Sequence, residues 1–214
     1  MERFLIIDIG VEVDFKKEMV EKFELTILDA QTMINDLLTW QGWGRLNPWS
    51  TIIVLPGNGA SIVKKYINKT KPSWLNQWPW KFSPHAKRVW IPGENPQTFV
   101  SRIAPTQMLL GVKNVVVVDD VISSGATIRH LRQVNNPWIP GADWQAITWV
   151  KQKSAVIKGF SGIFATKTVG TKERKVPINS LSTLVGCREI AESYARRNFG
   201  NKAEPFLKII EGLR

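Results

Sequence analysis

Two short runs, Thr51–Leu55 (TIIVL) and Asn114–Val118 (NVVVV), are apolar on both faces and rich in β-branched residues. A strand with one wet face alternates polar and apolar residues. A strand apolar on both faces must be covered twice, as in a parallel sheet between layers of helix. Arg3–Ile9, Trp144–Val150 and Gly162–Thr168 read as further strands. Helical spacing is legible in Ala30–Trp40, where Met33, Ile34, Leu37 and Leu38 share a face behind Asp29 as N-cap. Helices are also expected over Ala60–Asn68, from Ser124–Gly125 to about Asn135, over Cys187–Asn198 and over Glu204–Gly212. Strands alternating with helices predict an α/β fold, an open and mainly parallel sheet flanked by helices. Right-handed crossovers bring the loops after each strand to one edge, and ligands of such sheets bind at that carboxyl edge.

The 214 residues suit a single domain, 1–214, and 43% hydrophobic content supplies a substantial core. No stretch reaches the roughly 20 apolar residues of a membrane helix. The N-terminal apolar run is broken by Asp8, Glu12 and Asp14, unlike a signal peptide. The single cysteine, Cys187, has no internal partner and is expected to pack as a small hydrophobe. These features predict a cytoplasmic protein with no membrane partner. The net charge of +11 suits either a pocket for a phosphorylated small molecule or a nucleic-acid surface. The basic run Lys167–Lys175 reads as a solvated loop. Of ten tryptophans, seven lie within residues 40–90 and three within 138–149. Core and loop packing is the expected role, with stacking on a planar base as the alternative.

The chemistry concentrates in Val115–Thr127, VVVVDDVISSGAT. Four valines bury a strand, and Asp119 and Asp120 are expected at its carboxyl end. Ser123-Ser124-Gly125-Ala126-Thr127 then forms a loop of small residues opening a helix. The free N–H groups of a first helical turn, beside the positive end of the helix dipole, bind anions. Three hydroxyls, of Ser123, Ser124 and Thr127, add donors. A phosphate in the loop and two carboxylates facing vicinal hydroxyls suit a sugar phosphate. The plainer reading is a pair of acids capping a helix with no ligand.

All thirteen positions of this segment resemble the phosphoribosyl pyrophosphate signature of the type I phosphoribosyltransferases. The resemblance implies that Asp119 and Asp120 bind the ribose hydroxyls and that Ser123–Thr127 hold the 5-phosphate. TIIVLPGNGAS is similar, less specifically, to the strand and pyrophosphate loop of that family. It places Pro56, Gly57, Asn58 and Gly59 at the leaving group, although this loop lacks the Lys or Arg that many members carry there. Lys87–Ile103, expected as a hairpin around Pro92–Pro96, is similar in position to the family's flexible loop. Arg88 and Arg102 are its candidates to meet pyrophosphate. The family's variable hood is expected from the N-terminal or C-terminal segments.

The implied activity is transfer of ribose 5-phosphate from phosphoribosyl pyrophosphate to a nitrogenous base, with release of pyrophosphate. Mg²⁺ is the expected cofactor, held mainly through the substrate near Asp119 and Asp120. Members acting on 6-oxopurines usually carry an Asp where this chain has Ser123, a poor general base, so hypoxanthine and guanine are disfavoured. The alternative is a non-catalytic regulatory protein that keeps the phosphoribosyl pyrophosphate site and contacts nucleic acid. No helix-turn-helix unit supports that reading. A phosphoribosyl pyrophosphate synthetase would share the acidic motif but is longer and two-domain. Family members often form homodimers, and no interface is legible here. His130 is expected on the surface of the helix after the loop, and His85 lies in an irregular stretch.

Overall fold

The computed structural model describes residues 2–73, 77–79, 81–89 and 97–214. In chain order its elements are β1 (Phe4–Ile7), α1 (Val13–Phe23), β2 (Thr26–Asp29), α2 (Ala30–Leu38), α3 (Gly42–Arg45), β3 (Thr51–Val54), α4 (Gly57–Thr70), β4 (Lys81–Phe82), β5 (Ala86–Val89), β6 (Gln97–Val100), β7 (Asn114–Ile122), α5 (Ala126–Asn135), β8 (Asp143–Gln152), β9 (Gly162–Val169), β10 (Ile178–Ser180), α6 (Leu181–Gly186), α7 (Arg188–Phe199) and α8 (Ala203–Glu211). The chain divides into two compact units, residues 34–175 and residues 1–33 with 176–214.

Residues 34–175 carry a five-stranded sheet in the order β4-β3-β7-β8-β9, parallel throughout. The two-sided runs form its centre, with Thr51 pairing Asn114 and Val54 pairing Val117. One face is Ile52, Val54, Val115, Val117, Trp144 and Ala146, covered by Ile128 and Leu131 of α5. Those two residues are three apart and so share one helical face. The strand period turns Val116 and Val118 to the other face, on the side of α4, whose Ala60, Val63 and Ile67 are buried. Trp149 stacks edge-on against Tyr66 of α4, and Trp43 against Trp78. Trp43, Trp78, Trp144 and Trp149 are all buried, so these four serve as core. Trp49 is 76% exposed. Trp74, Trp80 and Trp90 lie outside the described residues.

Residues 1–33 with 176–214 form a second, three-stranded parallel sheet, β10-β1-β2. Its core joins Phe15, Met19 and Phe23 of α1 to Tyr194, Phe199 and Phe206 of α7 and α8. Asp29 accepts hydrogen bonds from the backbone N–H groups of Gln31 (3.0 Å) and Thr32 (3.1 Å), the capping expected of it. At the end of β1, buried Asp8 accepts from the Ser182 N–H (2.8 Å) and from the Ser182 hydroxyl. Cys187 is partly buried in the break between α6 and α7. Among the described residues no helix is long and apolar enough to cross a membrane.

Candidate functional site

Because β3 and β7 are parallel neighbours, the segments that follow them leave the same edge of the sheet. That edge brings together Asp119, Asp120, the loop Ser123–Thr127 and the segment Pro56–Gly59. The acids do not follow the strand as the sequence suggests. β7 continues through Ile122, and Asp119 and Asp120 lie within it. The cause is β8, which stays paired beyond the valines, with Asp119 opposite Thr148 and Val121 opposite Val150. Thr148 is fully buried, and its hydroxyl donates to the carbonyl of Asp120 at 2.9 Å.

Period-two alternation sends the two carboxylates to different faces. Asp119 is in line with Val115 and Val117, and Asp120 with Val116 and Val118. Asp120 meets α4 there: a Cβ added at Gly59 would stand 2.6 Å from the Asp120 Cγ. Each carboxylate also folds onto the next peptide. The Asp120 N–H donates to Asp119 Oδ1 at 3.0 Å, and the Val121 N–H donates to Asp120 Oδ1 at 2.7 Å. Burial first, then the charge of Asp120 and a side-chain hydrogen bond with it, push the Asp119 carboxyl well above the usual carboxylate range, against the Asp120 N–H bond, which lowers it.

Pro56–Gly59 is not a free loop. Pro56 is the N-cap of α4, and Gly57–Gly59 are its first residues, three earlier than expected for that helix. Gly57 takes φ +70°, with the Ala86 carbonyl 3.1 Å from where a Cβ would stand. The Gly57 N–H donates to the Pro84 carbonyl at 3.2 Å, and the Gly-rich opening lets the backbone of Gly59 come close to Asp120.

After Ile122 the chain turns through Ser123, which is exposed, and Ser124, which is partly buried. Gly125 is buried at φ +73° and serves as the N-cap of α5. The Ser124 hydroxyl accepts from the Ala126 N–H at 3.3 Å. Ala126 and Thr127 form the first turn of α5 and are partly buried. Arg129, which sequence reasoning did not single out, donates to the Ser124 carbonyl at 2.6 Å. Its signal was its place one turn into a helix that opens on a small-residue loop.

Of the flexible-loop candidates, Arg102 alone has a described side chain. Arg88 is in β5, its backbone opposite Thr98 of β6 in the antiparallel pair expected there; its side chain lies outside the described residues. The hairpin tip, residues 90–96, is also outside them. Arg102 lies over the ring of Trp138, 4.0 Å from its centroid, just after the C-terminal end of α5. Its neighbour Ile103 is tied there by an N–H bond to Asn135 Oδ1 (2.8 Å). His85 bridges the base of the hairpin through mutual bonds with Ser101. His130 is half-buried on α5 and, with Thr98, Phe99, Arg129 and Gln133, lines an open groove of about 500 Å³. The basic run ends in exposed Thr171–Lys175, as a solvated loop should.

The chain matches no protein-family model and no curated protein sequence. Among solved structures it resembles the xanthine-guanine-hypoxanthine phosphoribosyltransferase of Helicobacter pylori. The identity is 13% and the TM-score 0.51, over 71% of this chain and 88% of that one. It also resembles a hypothetical protein from Neisseria gonorrhoeae with bound ppGpp. There the identity is 15% and the TM-score 0.50, over 84% of this chain and 89% of that one. Sequence likeness this low leaves the backbone as the common ground: this chain has the α/β fold of the type I phosphoribosyltransferases.

Proposed function

We propose that the chain transfers ribose 5-phosphate from phosphoribosyl pyrophosphate to a nitrogenous acceptor, releasing pyrophosphate. The observation that supports this reading is the opening turn of α4 packed on Asp120, on the strand that leads into the small-residue loop opening α5. Two anion sites separated by groups that accept hydrogen bonds from hydroxyls match a sugar with a phosphate at each end. The first turn of α4 would take the pyrophosphate, and Ser123–Thr127 the 5-phosphate. Asp119 and Asp120 would hold the ribose hydroxyls between them.

In the reaction the acceptor nitrogen forms a bond to the anomeric carbon as the carbon–oxygen bond to pyrophosphate breaks. The electron pair leaves with pyrophosphate, and the nitrogen gives up its proton. The residues named here would orient the sugar and stabilise charge with fixed N–H groups. The acidic pair also fits a divalent cation: the Asp119 carboxyl is pushed up by burial first and then by the charge of Asp120, and a cation beside them would relieve that repulsion. Mg²⁺, when bound there with the substrate, would neutralise charge on the pyrophosphate oxygens. The α4 N-terminus has no Lys or Arg among Pro56–Gly59, so neutralisation by the cation would matter more.

Ser123 makes a poor general base for a 6-oxopurine, so hypoxanthine and guanine are expected to be turned over weakly or not at all. Adenine, orotate and other bases remain as acceptors. The test is a panel of bases with phosphoribosyl pyrophosphate and Mg²⁺, following pyrophosphate release and identifying the product by mass. A nucleotide product from one base supports the reading. Efficient turnover of hypoxanthine or guanine would overturn the acceptor assignment.

A second reading is a binding protein without turnover. The uncharged Pro56–Gly59 segment favours it, as does a fold neighbour that is described with bound ppGpp. It predicts tight phosphoribosyl pyrophosphate binding with no product from any base. Contact with nucleic acid under that reading would weaken steeply as salt rises.

A further inference from the structure

We infer that Arg129 is the positioning residue of the 5-phosphate loop, tying that loop to the connection between β8 and β9. The inference rests on the reading of Ser123–Thr127 as a phosphate site. One guanidinium nitrogen of Arg129, Nη1, donates both to the Ser124 carbonyl (2.6 Å) and to the Val156 carbonyl. Ser124 precedes Gly125, the N-cap of α5, and Val156 lies between β8 and β9. A single charged group therefore joins two segments that the sheet alone would leave independent.

Three further contacts make this a built junction. The Ile157 Cγ1 stands 2.9 Å from where a Cβ on Gly125 would be, and the Val156 carbonyl 3.3 Å. Arg132, three residues along α5, lays its guanidinium against Gly159, with Cζ 2.7 Å from the position of an added Cβ. Arg129 and Arg132 are neighbours on one helix face. They hold the two ends of Val156–Gly159 over the start of α5.

Arginine suits this task because its planar donors are fixed relative to one another, so binding two carbonyls fixes both. Its positive charge also lies behind the N–H groups that would meet the phosphate. Both acceptors are backbone carbonyls, so Arg129 acts on the loop through Ser124 and Gly125. The geometry of an anion nest depends on where its peptide N–H groups point, and a displacement of about 1 Å can cost up to about a hundredfold.

The test is titration of ribose 5-phosphate and of phosphoribosyl pyrophosphate with Mg²⁺ into the full chain, comparing wild type, Arg129→Met and Arg129→Lys. Each is measured well below its own melting temperature, so that only folded protein is compared. A residue that merely stabilises the fold would leave the affinity of folded protein unchanged. The expected result is about tenfold weaker binding of both ligands to Arg129→Met. Arg129→Lys should fall between, since an ammonium keeps the charge without the planar pair of donors. If Arg129→Met does not fold, Arg129→Lys alone decides, with weaker binding again expected. Unchanged affinity in the folded variants would overturn the positioning role. Failure of the wild type to bind either ligand would instead overturn the phosphate-site reading, which keeps the two outcomes distinct.

Discussion

Asp120 packs against the backbone of Gly59, so the second acid of β7 and the opening turn of α4 are fitted to each other. Residues 61 positions apart become one surface because β3 and β7 are adjacent and parallel. A methyl group on Gly59 would stand 2.6 Å from the Asp120 Cγ, far inside contact distance. Gly59→Ala is therefore expected to fold, since alanine favours a helix, while displacing the Asp120 side chain. Affinity for phosphoribosyl pyrophosphate should drop about tenfold, read by calorimetric titration. Unaltered affinity would separate Asp120 from the ligand site.

Asp119 predicts a pH dependence with a definite sign. Its carboxyl is raised by burial and by Asp120, so the folded chain binds that proton more tightly than the unfolded chain. Above the raised value the ionised carboxylate costs stability. As the pH falls through the window between the raised value and the ordinary one, that cost is relieved. Asp119→Asn should accordingly stabilise the ligand-free protein at neutral pH and flatten this part of its stability profile, measured by denaturant unfolding across pH. The same variant should bind ribose phosphate ligands worse. In the wild type, Mg²⁺ together with phosphoribosyl pyrophosphate should bind more weakly as pH falls, because the protonated acid is a poorer partner for a cation.

Gly125 is expected to tolerate no side chain. It sits at φ +73°, and a Cβ would meet Ile157 at 2.9 Å. Backbone strain of this kind costs about 1–3 kcal/mol. Gly125→Ala should lose stability in that range, seen as a lower denaturation midpoint with an unchanged slope. A midpoint equal to that of the parent would mean the loop repacks freely.

Asn135 makes a prediction remote from the acids. It is fully buried at the end of α5, accepting from the Ile103 N–H and donating to the Leu131 carbonyl, both at 2.8 Å. Asn135→Leu keeps the branching of the side chain but strands the Ile103 N–H. Leaving one buried donor unpaired costs about 1–3 kcal/mol. The loss should appear in equilibrium unfolding; a neutral substitution would show that Ile103 finds another partner.

Asp8 tests the unit formed by the two ends of the chain. Its carboxylate holds both the backbone N–H and the hydroxyl of Ser182, joining β1 to the start of α6. Asp8→Ala should destabilise the protein by about 1–3 kcal/mol. Thermal unfolding would check this, and a melting temperature equal to the parent's would contradict it.

Local chemistry determined much of this protein in advance. Two-sided apolar runs require a covered parallel sheet, and Ile128 and Leu131 show the face that covers it. Asp29 has a side chain short enough to cap the N–H groups that follow, and it does. The small residues after Ile122 leave room for an anion, whatever the rest of the chain does. These are properties of neighbouring residues, and neighbours are what a sequence records.

Other features depended on partners far along the chain. β7 outruns its valines because β8 continues beside it and Thr148 holds Asp120, so polar residues became strand by pairing. α1 carries its buried Phe15, Met19 and Phe23 among charges, and that stripe acquires meaning only against α7 and α8. Arg102 lies over the ring of Trp138, 36 positions further along the chain, a contact no local pattern announces. Arg129 could be seen as a helix residue, but Val156 as its second acceptor could not. The sequence by itself determined the two central strands and the small-residue turns that follow them; only the tertiary structure decided which of them share an edge, because parallel pairing joins residues that no local pattern relates.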